Sequence, residues 1–461
     1  MSVIIAMLAL GGLMLAAYRG YSVILFAPIC ALAAVLLTDP GAVAPAFSGL
    51  FMDKMVGFIK NYFPVFLLGA IFGKMVEMSG FSRSIVEAVI RVLGRDRAIP
   101  VIVIVCALLT YGGVSLFVVV FAVYPFAAEM FRQAEIPKRL MPATIALGAF
   151  TFTMDAMPGT PQIQNIIPTT FFGTTGWAAP WLGLIGSLFI AVLGVGYLEW
   201  ARAKAAGEGY GTNLRNEPST PPDIKLVHPL IALAPLLLVG VVNLVMTRMI
   251  PHWYDAIYPL DLPGMAHPVD VPVTATVAIW AVLAALASGI LFIGIFAFRT
   301  ITAQFAEGSK TAVAGAMLAT MNTASEYGFG AIIAALPGFV MIAGALKAIP
   351  DPLLNEAITI NLLSGITGSS SGGMSIALAA MADQFVASAN AAGIPMEVLH
   401  RVASMAAGGM DTLPHNGAVI TLLAVTGLTH REAYKNIFVM TLIKVAAPFF
   451  VIALYYATGI V

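Results

Sequence analysis

Two aspartates in this sequence stand inside long apolar runs, and each is followed three residues later by a proline. The first lies in Met154–Gly159 (MDAMPG) and the second in Met410–Pro414 (MDTLP), 256 residues further along the chain. A carboxylate in apolar surroundings is costly unless it is paired, protonated or hydrated, and the prolines favour a break in each helix. Asp155 and Asp411 are therefore predicted to bind a coupling proton or cation. The alternative is that each aspartate caps the freed amides of its own broken helix.

Two further titratable residues are candidates for ion coupling. His415 follows Asp411 by about one helical turn and is predicted to carry a proton with it, or simply to satisfy loose backbone groups. Glu326, near the start of another apolar run, is predicted to bind a coupling ion or to lie at the membrane interface. Amide side chains follow the two breaks, and those predicted to bind substrate hydroxyl groups are Gln162, Gln164, Asn165 and Asn416.

Glycine-rich stretches interrupt two other apolar segments. In Thr367–Gly373 (TGSSSGG), hydroxyls and accessible backbone amides come immediately before a predicted helix. Such a helix start binds anions, and in an apolar interior it suits a carboxylate substrate. Gly112–Ser115 is less polar, so the two stretches are expected to contribute unequally, unless both merely allow turning and close packing. The predicted substrate ligands are Gly112, Gly113, Ser115, Thr367, Ser369, Ser370, Ser371, Gly372 and Gly373.

Composition places all these residues in a membrane protein. The 461 residues are 60% hydrophobic and 10% charged, whereas soluble proteins carry about a quarter charged residues. The net charge of zero offers no basic face for nucleic acid. Cys30 and Cys106 lie in apolar runs as small fillers, and no disulfide, metal or cofactor is predicted. The first apolar run has no basic leader, which predicts a retained span rather than a signal peptide.

The apolar runs predict an all-α polytopic membrane protein. Residues 99–131 are too long for one span, and each arm of about 12 residues would reach only about 18 Å into a core about 30 Å thick. A re-entrant hairpin fits this arithmetic, and two short spans are the alternative. Residues 356–387 predict a second hairpin. Residues 142–172 and 395–427 predict two broken helices.

Landmarks that recur in the same order predict an internal duplication. The pairs, at offsets of 261, 260, 258 and 256 residues, are Gly69 with Gly330, Gly112 with Gly372, Ile136 with Ile394, and Asp155 with Asp411. The predicted halves are residues 1–200 and 226–461, joined by a polar linker at 201–225. Each half is expected to hold five spans, with an interfacial stretch (39–60 and 299–320) before its third.

The distribution of basic residues predicts the orientation. With the N-terminus outside, sixteen basic residues fall inside, two fall within spans, and five fall outside, namely Lys54, Lys60, Arg248, Lys347 and Arg401. This excess agrees with the positive-inside rule for an inner (plasma) membrane. Both termini are therefore predicted outside and the linker in the cytoplasm. Because five is odd, the second half is predicted to be inverted relative to the first.

Broken helices in inverted repeats are typical of secondary transporters, and two other classes compete with this interpretation. An intramembrane aspartyl protease also has two aspartates, but Met410 precedes Asp411 where that family has a Gly-x-Gly pattern. A channel lined by hairpin tips stays open as an alternative. Paired acids at broken helices favour coupled transport over a channel.

Several motifs resemble those of the gluconate permease family. They are Gly69–Val76 (GAIFGKMV), Gly112–Ser115, Pro158–Pro161 (PGTP) and Thr367–Gly373. The resemblance covers most of the chain. It implies an ion-coupled carboxylate transporter with inverted repeats and re-entrant hairpins, an elevator motion of the hairpin-bearing domain, and a homodimer.

One departure from this family bears on the substrate. The sugar-acid members carry a histidine-rich segment where Met154–Pro161 stands, whereas Asn322–Gly330 (NTASEYGFG) is more similar to the D-β-hydroxybutyrate permease branch. We therefore expect proton-coupled symport of a short hydroxy acid such as D-3-hydroxybutyrate. Gluconate is the alternative anion, and sodium is the alternative coupling ion because the wider group includes sodium-coupled members.

Overall fold

A computed structural model defines the fold over most of the chain. It describes residues 2–19, 21–94, 97–114, 116–212, 215–217, 227–265, 267–302, 304–339, 341, 349–414 and 416–461. Two predicted site residues, Ser115 and His415, lie outside these ranges, as does Lys347.

Nearly all of the regular structure is helical. In the N-terminal half the helices are α1 (Ser2–Tyr18), α2 (Val23–Thr38), α3 (Pro40–Met78), α4 (Phe81–Leu93), α5 (Ala98–Tyr111), α6 (Leu116–Gln133), α7 (Met141–Ala149), α8 (Phe152–Asp155), α9 (Ile163–Phe172) and α10 (Pro180–Lys204). In the C-terminal half they are α11 (Pro229–Trp253), α12 (Val273–Phe296), α13 (Phe298–Thr302), α14 (Phe305–Ala335), α15 (Pro352–Thr367), α16 (Ser370–Ala392), α17 (Met396–Gly409), α18 (Gly417–Thr426) and α19 (His430–Thr458). The all-α polytopic fold class is confirmed.

The outer helices have the length and surface of membrane spans. Among the described residues, five helices are long and apolar enough to cross a bilayer: α3, α10, α11, α12 and α19. Large apolar side chains such as Leu188, Leu237 and Ile295 are more than half exposed on them. A bilayer is the solvent in which such an exposed apolar surface is stable.

Two predicted interfacial stretches are instead parts of long helices. Residues 40–78 form the single helix α3, which contains a π-helical segment at Ala46–Phe51. In the second half, α14 runs unbroken through the predicted boundary near residue 320. Their charged residues mark one exposed end of a helix rather than a separate element, because a few polar residues do not stop helix propagation without proline or a cap.

Helix–turn–helix hairpins occur at both predicted positions. Hairpin 1 consists of α5 and α6, and hairpin 2 consists of α15 and α16. Asp351 caps the start of α15, and Ser369 caps the start of α16 by accepting from the Gly372 amide. Gly368, at φ +65°, ends α15 in the left-handed conformation that glycine adopts without strain.

Both predicted broken helices are broken. Break 1 (residues 156–162) separates the short helix α8 from α9, and break 2 (residues 410–416) separates α17 from α18. Pro158 and Pro414 lie within the two breaks, where neither needs a backbone donor. The local prediction from proline and glycine therefore holds at both sites.

Helices at equivalent positions of the two halves make equivalent contacts. Helix α3 packs on α12 as α14 packs on α2, and α9 packs on hairpin 2 as α18 packs on hairpin 1. Helices α3 and α14, which are themselves equivalent, pack against each other. This reciprocity is what a two-fold related pair of repeats requires. The half boundaries and the orientation of each half in the membrane remain predictions.

A short antiparallel ribbon is the one addition to the helices among the described residues. Strands β1 (Ile257–Leu260) and β2 (Val269–Pro272) pair between α11 and α12 and are mostly exposed. The ribbon joins two spans and lies apart from the hairpins and breaks.

Candidate functional site

Each break is tied to the tip of the hairpin in its own half. Gln162, the last residue before α9, donates from Nε2 to the carbonyls of Thr110 (2.7 Å) and Val114 (3.2 Å) at tip 1. Asn416, the last residue before α18, donates from Nδ2 to the carbonyl of Gly368 (2.7 Å) at tip 2. The Oδ1 atom of Asn416 also accepts from the Ala418 amide and so caps α18. The two amides hold equivalent positions in the two halves.

Tip 2 lies between the two halves. The hydroxyl of Ser370 accepts from Gln164 Nε2 (2.8 Å), which belongs to the first half. The same hydroxyl hydrogen-bonds to the carboxyl of Asp411 in break 2. Ser370 is therefore a direct link between the start of α16, the aspartate of break 2 and the segment after break 1.

Glu326 lies against the start of α16. Its side chain is 3% exposed, and a Cβ added at Gly372 would fall 1.9 Å from its Oε2 atom. Glu326 lies within α14, which runs from Phe305 to Ala335, and its carboxyl reaches the glycine of the predicted anion site. Both its role in ion coupling and its position relative to the membrane interface stay predictions.

Tip 1 is closed by apolar side chains. A Cβ at Gly112 would meet Leu236 at 2.3 Å, and Gly113, at φ +96°, packs against Leu286 and Pro161. Leu236 and Leu286 belong to the outer helices α11 and α12. In this conformation the two glycines allow close docking of tip 1, and polar groups are concentrated at tip 2.

The two aspartates share one buried lysine. Lys444 Nζ lies 2.5 Å from Asp411 Oδ1 and 3.8 Å from Asp155 Oδ2, and the three side chains are 1–6% exposed. A Cβ at Gly408 would fall 1.7 Å from Asp155 Oδ2, so this glycine admits the Asp155 carboxyl against α17. The two motifs thus meet in space, although they lie 256 residues apart in the chain.

A buried arginine completes the charges around Asp155. Arg401 is fully buried, interacts electrostatically with Asp155, and donates to the carbonyls of Ala156 (3.0 Å) and Ala178 (2.7 Å). Two carboxyl groups thus lie near one ammonium and one guanidinium, and the formal charge of this buried cluster is zero. Arg401 donates its hydrogen bonds to carbonyls and to Asn165, and neither oxygen of Asp155 has a hydrogen-bond partner among the described residues. The cluster of Asp155, Asp411, Lys444 and Arg401 is called the charge cluster below.

The carbonyls freed by break 1 are taken by side chains of the other half. Lys444 Nζ donates to Phe150 (2.7 Å), Ser404 Oγ donates to Asp155 (2.6 Å), and Arg401 donates to Ala156. Buried backbone acceptors need such partners. The break is therefore built jointly by both halves.

Asn165, predicted to bind substrate, is hydrogen-bonded to several protein groups. Its Nδ2 donates to the carbonyls of Thr160 and Gly176, and its Oδ1 accepts from Arg401 and faces His400 Nε2 at 3.3 Å. Its amide holds break 1 to α17. Thr367 and Ser371 likewise have protein partners, since Thr367 bonds to the carbonyl of Leu363 and Ser371 faces the hydroxyl of Thr323.

Comparison with known proteins gives the family. No protein-family profile matches the chain. Over 472 aligned residues, which cover 100% of both proteins, the chain is 57% identical to the uncharacterized transporter YxjC of Bacillus subtilis (strain 168). This chain belongs to the YxjC transporter family. It is accordingly a multi-pass membrane transporter and not an enzyme.

A solved transporter structure shares the fold of this YxjC-family protein. The crystal structure of the YdaH transporter of Alcanivorax borkumensis, which reveals an unusual topology, aligns with a TM-score of 0.50. The alignment covers 92% of this chain and 90% of that one, at 14% sequence identity. At this identity the similarity concerns the fold alone.

Sequence reasoning missed several buried groups of this YxjC-family transporter. Lys444 is one of the two basic residues that the charge count places within spans, and Arg401 is one of the five that it places outside. Neither was predicted to be a fully buried partner of the aspartates. A single basic residue inside an apolar run indicates a functional or structural role by itself. Lys444 and Arg401 both lie in such runs, so the sequence does contain a signal for them. His400 gave no comparable signal. Among the described residues, no group of three or more His, Cys, Asp or Glu side chains is placed to hold a metal ion.

Proposed function

We propose that this transporter carries a small organic anion together with a proton. The observation that supports this best is the position of tip 2. The capped start of α16 is buried between the halves, where Asn416 and Gln164 hold it. A helix start with serine hydroxyls and glycine amides favours a carboxylate, and the surrounding apolar core disfavours charge that is not balanced.

The proposed substrate is a short hydroxy monocarboxylate such as D-3-hydroxybutyrate, with gluconate as the second candidate. This proposal rests on the resemblance to the gluconate permease family and to its hydroxybutyrate branch. The substrate carboxylate would take groups from residues 369–373. We also propose an elevator motion of the hairpins and broken helices, an inner-membrane location with both termini outside, and a homodimer.

Proton coupling is favoured over sodium coupling at the two aspartates. The ammonium of Lys444 lies 2.5 Å from Asp411 and also faces Asp155. It therefore occupies the space between the two carboxyl groups that a sodium ion would need. Lys444 and Arg401 together offset the formal charge of both aspartates. Glu326 is therefore a second candidate for the protonation site, since it has no ion-pair partner among the described residues.

Uptake into proteoliposomes tests the function. Labelled D-3-hydroxybutyrate and gluconate are supplied with an imposed pH gradient, an imposed sodium gradient, or neither. Accumulation driven by inward proton flow and abolished by a protonophore is the expected result. Accumulation that follows sodium alone would replace the proton, and flux that ignores both gradients would favour a channel or facilitator.

The role of Asp411 is tested in the same assay with Asp411→Asn. If Asp411 carries the coupling proton, gradient-driven accumulation vanishes while exchange of labelled for unlabelled anion survives. If Asp411 serves the charge cluster, the variant loses stability but the transport that remains still follows the pH gradient. The charge balance described above favours the second result.

A further inference from the structure

The carboxyl of Glu326 occupies the place that the sequence predicts for a bound anion. Its Oε2 atom would lie 1.9 Å from a Cβ at Gly372, in the first turn of α16. The Ser369 hydroxyl, which caps that turn, hydrogen-bonds to the same carboxyl. Oε2 is buried and has no hydrogen-bond partner among the described residues. The side chain thus points an unsatisfied oxygen at a helix start.

Among the described residues, no cation forms an ion pair with Glu326. Its neighbour Tyr327 packs against Phe58 of α3 and Phe171 of α9, and Gly330 packs against Ile376 of α16. The titratable residues on the helices that pack against α14 are Cys30 of α2, Asp53, Lys54, Lys60, Tyr62, Lys74 and Glu77 of α3, Arg299 of α13, and Asp383 of α16. None of them forms an ion pair with Glu326 in the part of the chain that the structure describes.

We infer that Glu326 is a proton-controlled gate for the anion seat at tip 2, which comprises the Ser369 hydroxyl and the start of α16 at Gly372 and Gly373. This inference rests on the proposed function. When Glu326 is ionised, its own carboxylate occupies the seat and repels an anionic substrate. When Glu326 is protonated, the seat accepts the substrate carboxylate. Proton and anion therefore load together.

The duplication limits the number of protons. At the offset of 261 residues that relates Gly69 to Gly330, the counterpart of Glu326 is Val65, which is buried and apolar. Among the described residues, tip 1 therefore has no equivalent carboxyl at this position. One proton balances one negative charge, so the gate selects monocarboxylates, and a dicarboxylate would leave uncompensated charge in the core.

Equilibrium binding to the full-length protein in nanodiscs tests the gate. The probe is labelled D-3-hydroxybutyrate, measured from pH 5 to pH 9. Because binding is linked to one proton, the wild-type Kd should rise about tenfold per pH unit above the pH at which Glu326 ionises. Glu326→Gln should remove this dependence and bind at pH 8 about as tightly as at pH 6.

Glu356→Gln is the matched control. Glu356 is a second fully buried glutamate with no hydrogen-bond partner among the described residues, and it lies near the far end of hairpin 2 from the tip. The control should retain the wild-type pH dependence. Loss of that dependence in Glu356→Gln together with its survival in Glu326→Gln would move the gate to hairpin 2 and overturn the inference.

The possible outcomes separate the gate from the proposed function. Wild-type protein that binds neither D-3-hydroxybutyrate nor gluconate would contradict the proposed substrate class. Wild-type binding with a pH dependence that persists in a monodisperse Glu326→Gln sample would contradict the gate alone. If Glu326→Gln does not fold, Glu326→Asp withdraws the carboxyl from Gly372 by one methylene and should shift the midpoint of the pH dependence. An unchanged midpoint would overturn the gate.

Discussion

At the scale of single residues, the buried charges are balanced in one place and unbalanced in another. Asp155 and Asp411 face Lys444 and Arg401, whereas Glu326 faces the start of a helix. A buried carboxylate with a cation is mainly a packing element, since removing the partner is costly while the intact pair contributes little. A buried carboxylate without a cation is free to exchange a proton when its surroundings change.

Replacing Lys444 should be strongly destabilising. Lys444→Met leaves two carboxyls without their ammonium and should cost about 3–5 kcal/mol in the free energy of unfolding. The loss is measurable as a lower Tm in detergent. Lys435→Met, at an exposed position of the same helix, is the control and should leave Tm nearly unchanged. Adding Asp411→Asn to Lys444→Met should recover part of the loss, and no recovery would argue against the pairing.

Gly408 should tolerate no side chain. A Cβ there would fall 1.7 Å from Asp155 Oδ2, so Gly408→Ala must displace the carboxyl from Lys444. We expect a loss of about 1–3 kcal/mol from overpacking and a lower Tm. Gly196→Ala, in a helix with nothing within 4 Å of the added Cβ, is the matched control and should be neutral or slightly stabilising. Equal effects of the two changes would contradict the close approach.

At the scale of elements, the hairpin tips owe their positions to the breaks. The side-chain amides of Gln162 and Asn416 each donate a hydrogen bond to the hairpin tip of their own half. A broken helix supplies such ties because its new helix start needs a cap and its free backbone can approach another turn. Tips and breaks are therefore expected to move as units when the transporter changes conformation.

Removing one tie should loosen one tip. Asn416→Ala loses the cap of α18 and the bond to Gly368, at a cost of about 0.5–2 kcal/mol. Hydrogen exchange read by mass spectrometry should then rise at residues 367–373 and stay unchanged at residues 110–114. Gln162→Ala should give the reverse pattern. Exchange that rises equally at both tips in either variant would contradict separate ties.

At the scale of the whole molecule, the polar linker joins parts of both halves. Glu217 pairs with Lys138 (2.7 Å) and with Arg132, and accepts from the hydroxyl of Tyr210. Its neighbour Asn216 donates to the carbonyl of Ala424 in α18. Composition predicts the linker to be a soluble connection. Its described part contacts both hairpin 1 and the C-terminal end of α18, and this set of contacts is called the clamp.

The clamp should weaken in acid. Partial burial acts to raise the pKa of Glu217, but Lys138, Tyr210 and Arg132 outweigh it and hold the pKa below its ordinary value of 4.5. The stabilisation is therefore complete above about pH 4.5 and is lost as the pH falls through the folded-state pKa.

Glu217→Gln tests this clamp. At pH 7 the substitution should lower the free energy of unfolding by about 1–3 kcal/mol and should therefore lower Tm. The difference in Tm between the variant and the wild type should shrink at acidic pH. Glu208→Gln, which breaks a largely exposed pair with Arg139, is the control and should cost under about 1 kcal/mol. A Tm difference for Glu217→Gln that stays constant down to pH 3 would contradict the role of its charge.

The sequence by itself determined the elements. Composition specified a membrane protein, and proline and glycine placed both breaks and both turns, because these residues act on their own backbone whatever surrounds them. Four landmarks that recur in the same order at similar offsets indicated two similar halves. Helix length was predicted less well, since α3 and α14 continue through charged stretches that the bilayer does not have to contain.

Only the tertiary structure decided which charges are paired. Lys444 reaches Asp155 and Asp411 from α19, and Glu326 reaches Gly372 from α14. No local pattern encodes these contacts, because they depend on how the halves pack and on which glycines leave room for a carboxyl. The same packing decided that the two acids first singled out are balanced, while the acid at the anion seat is not.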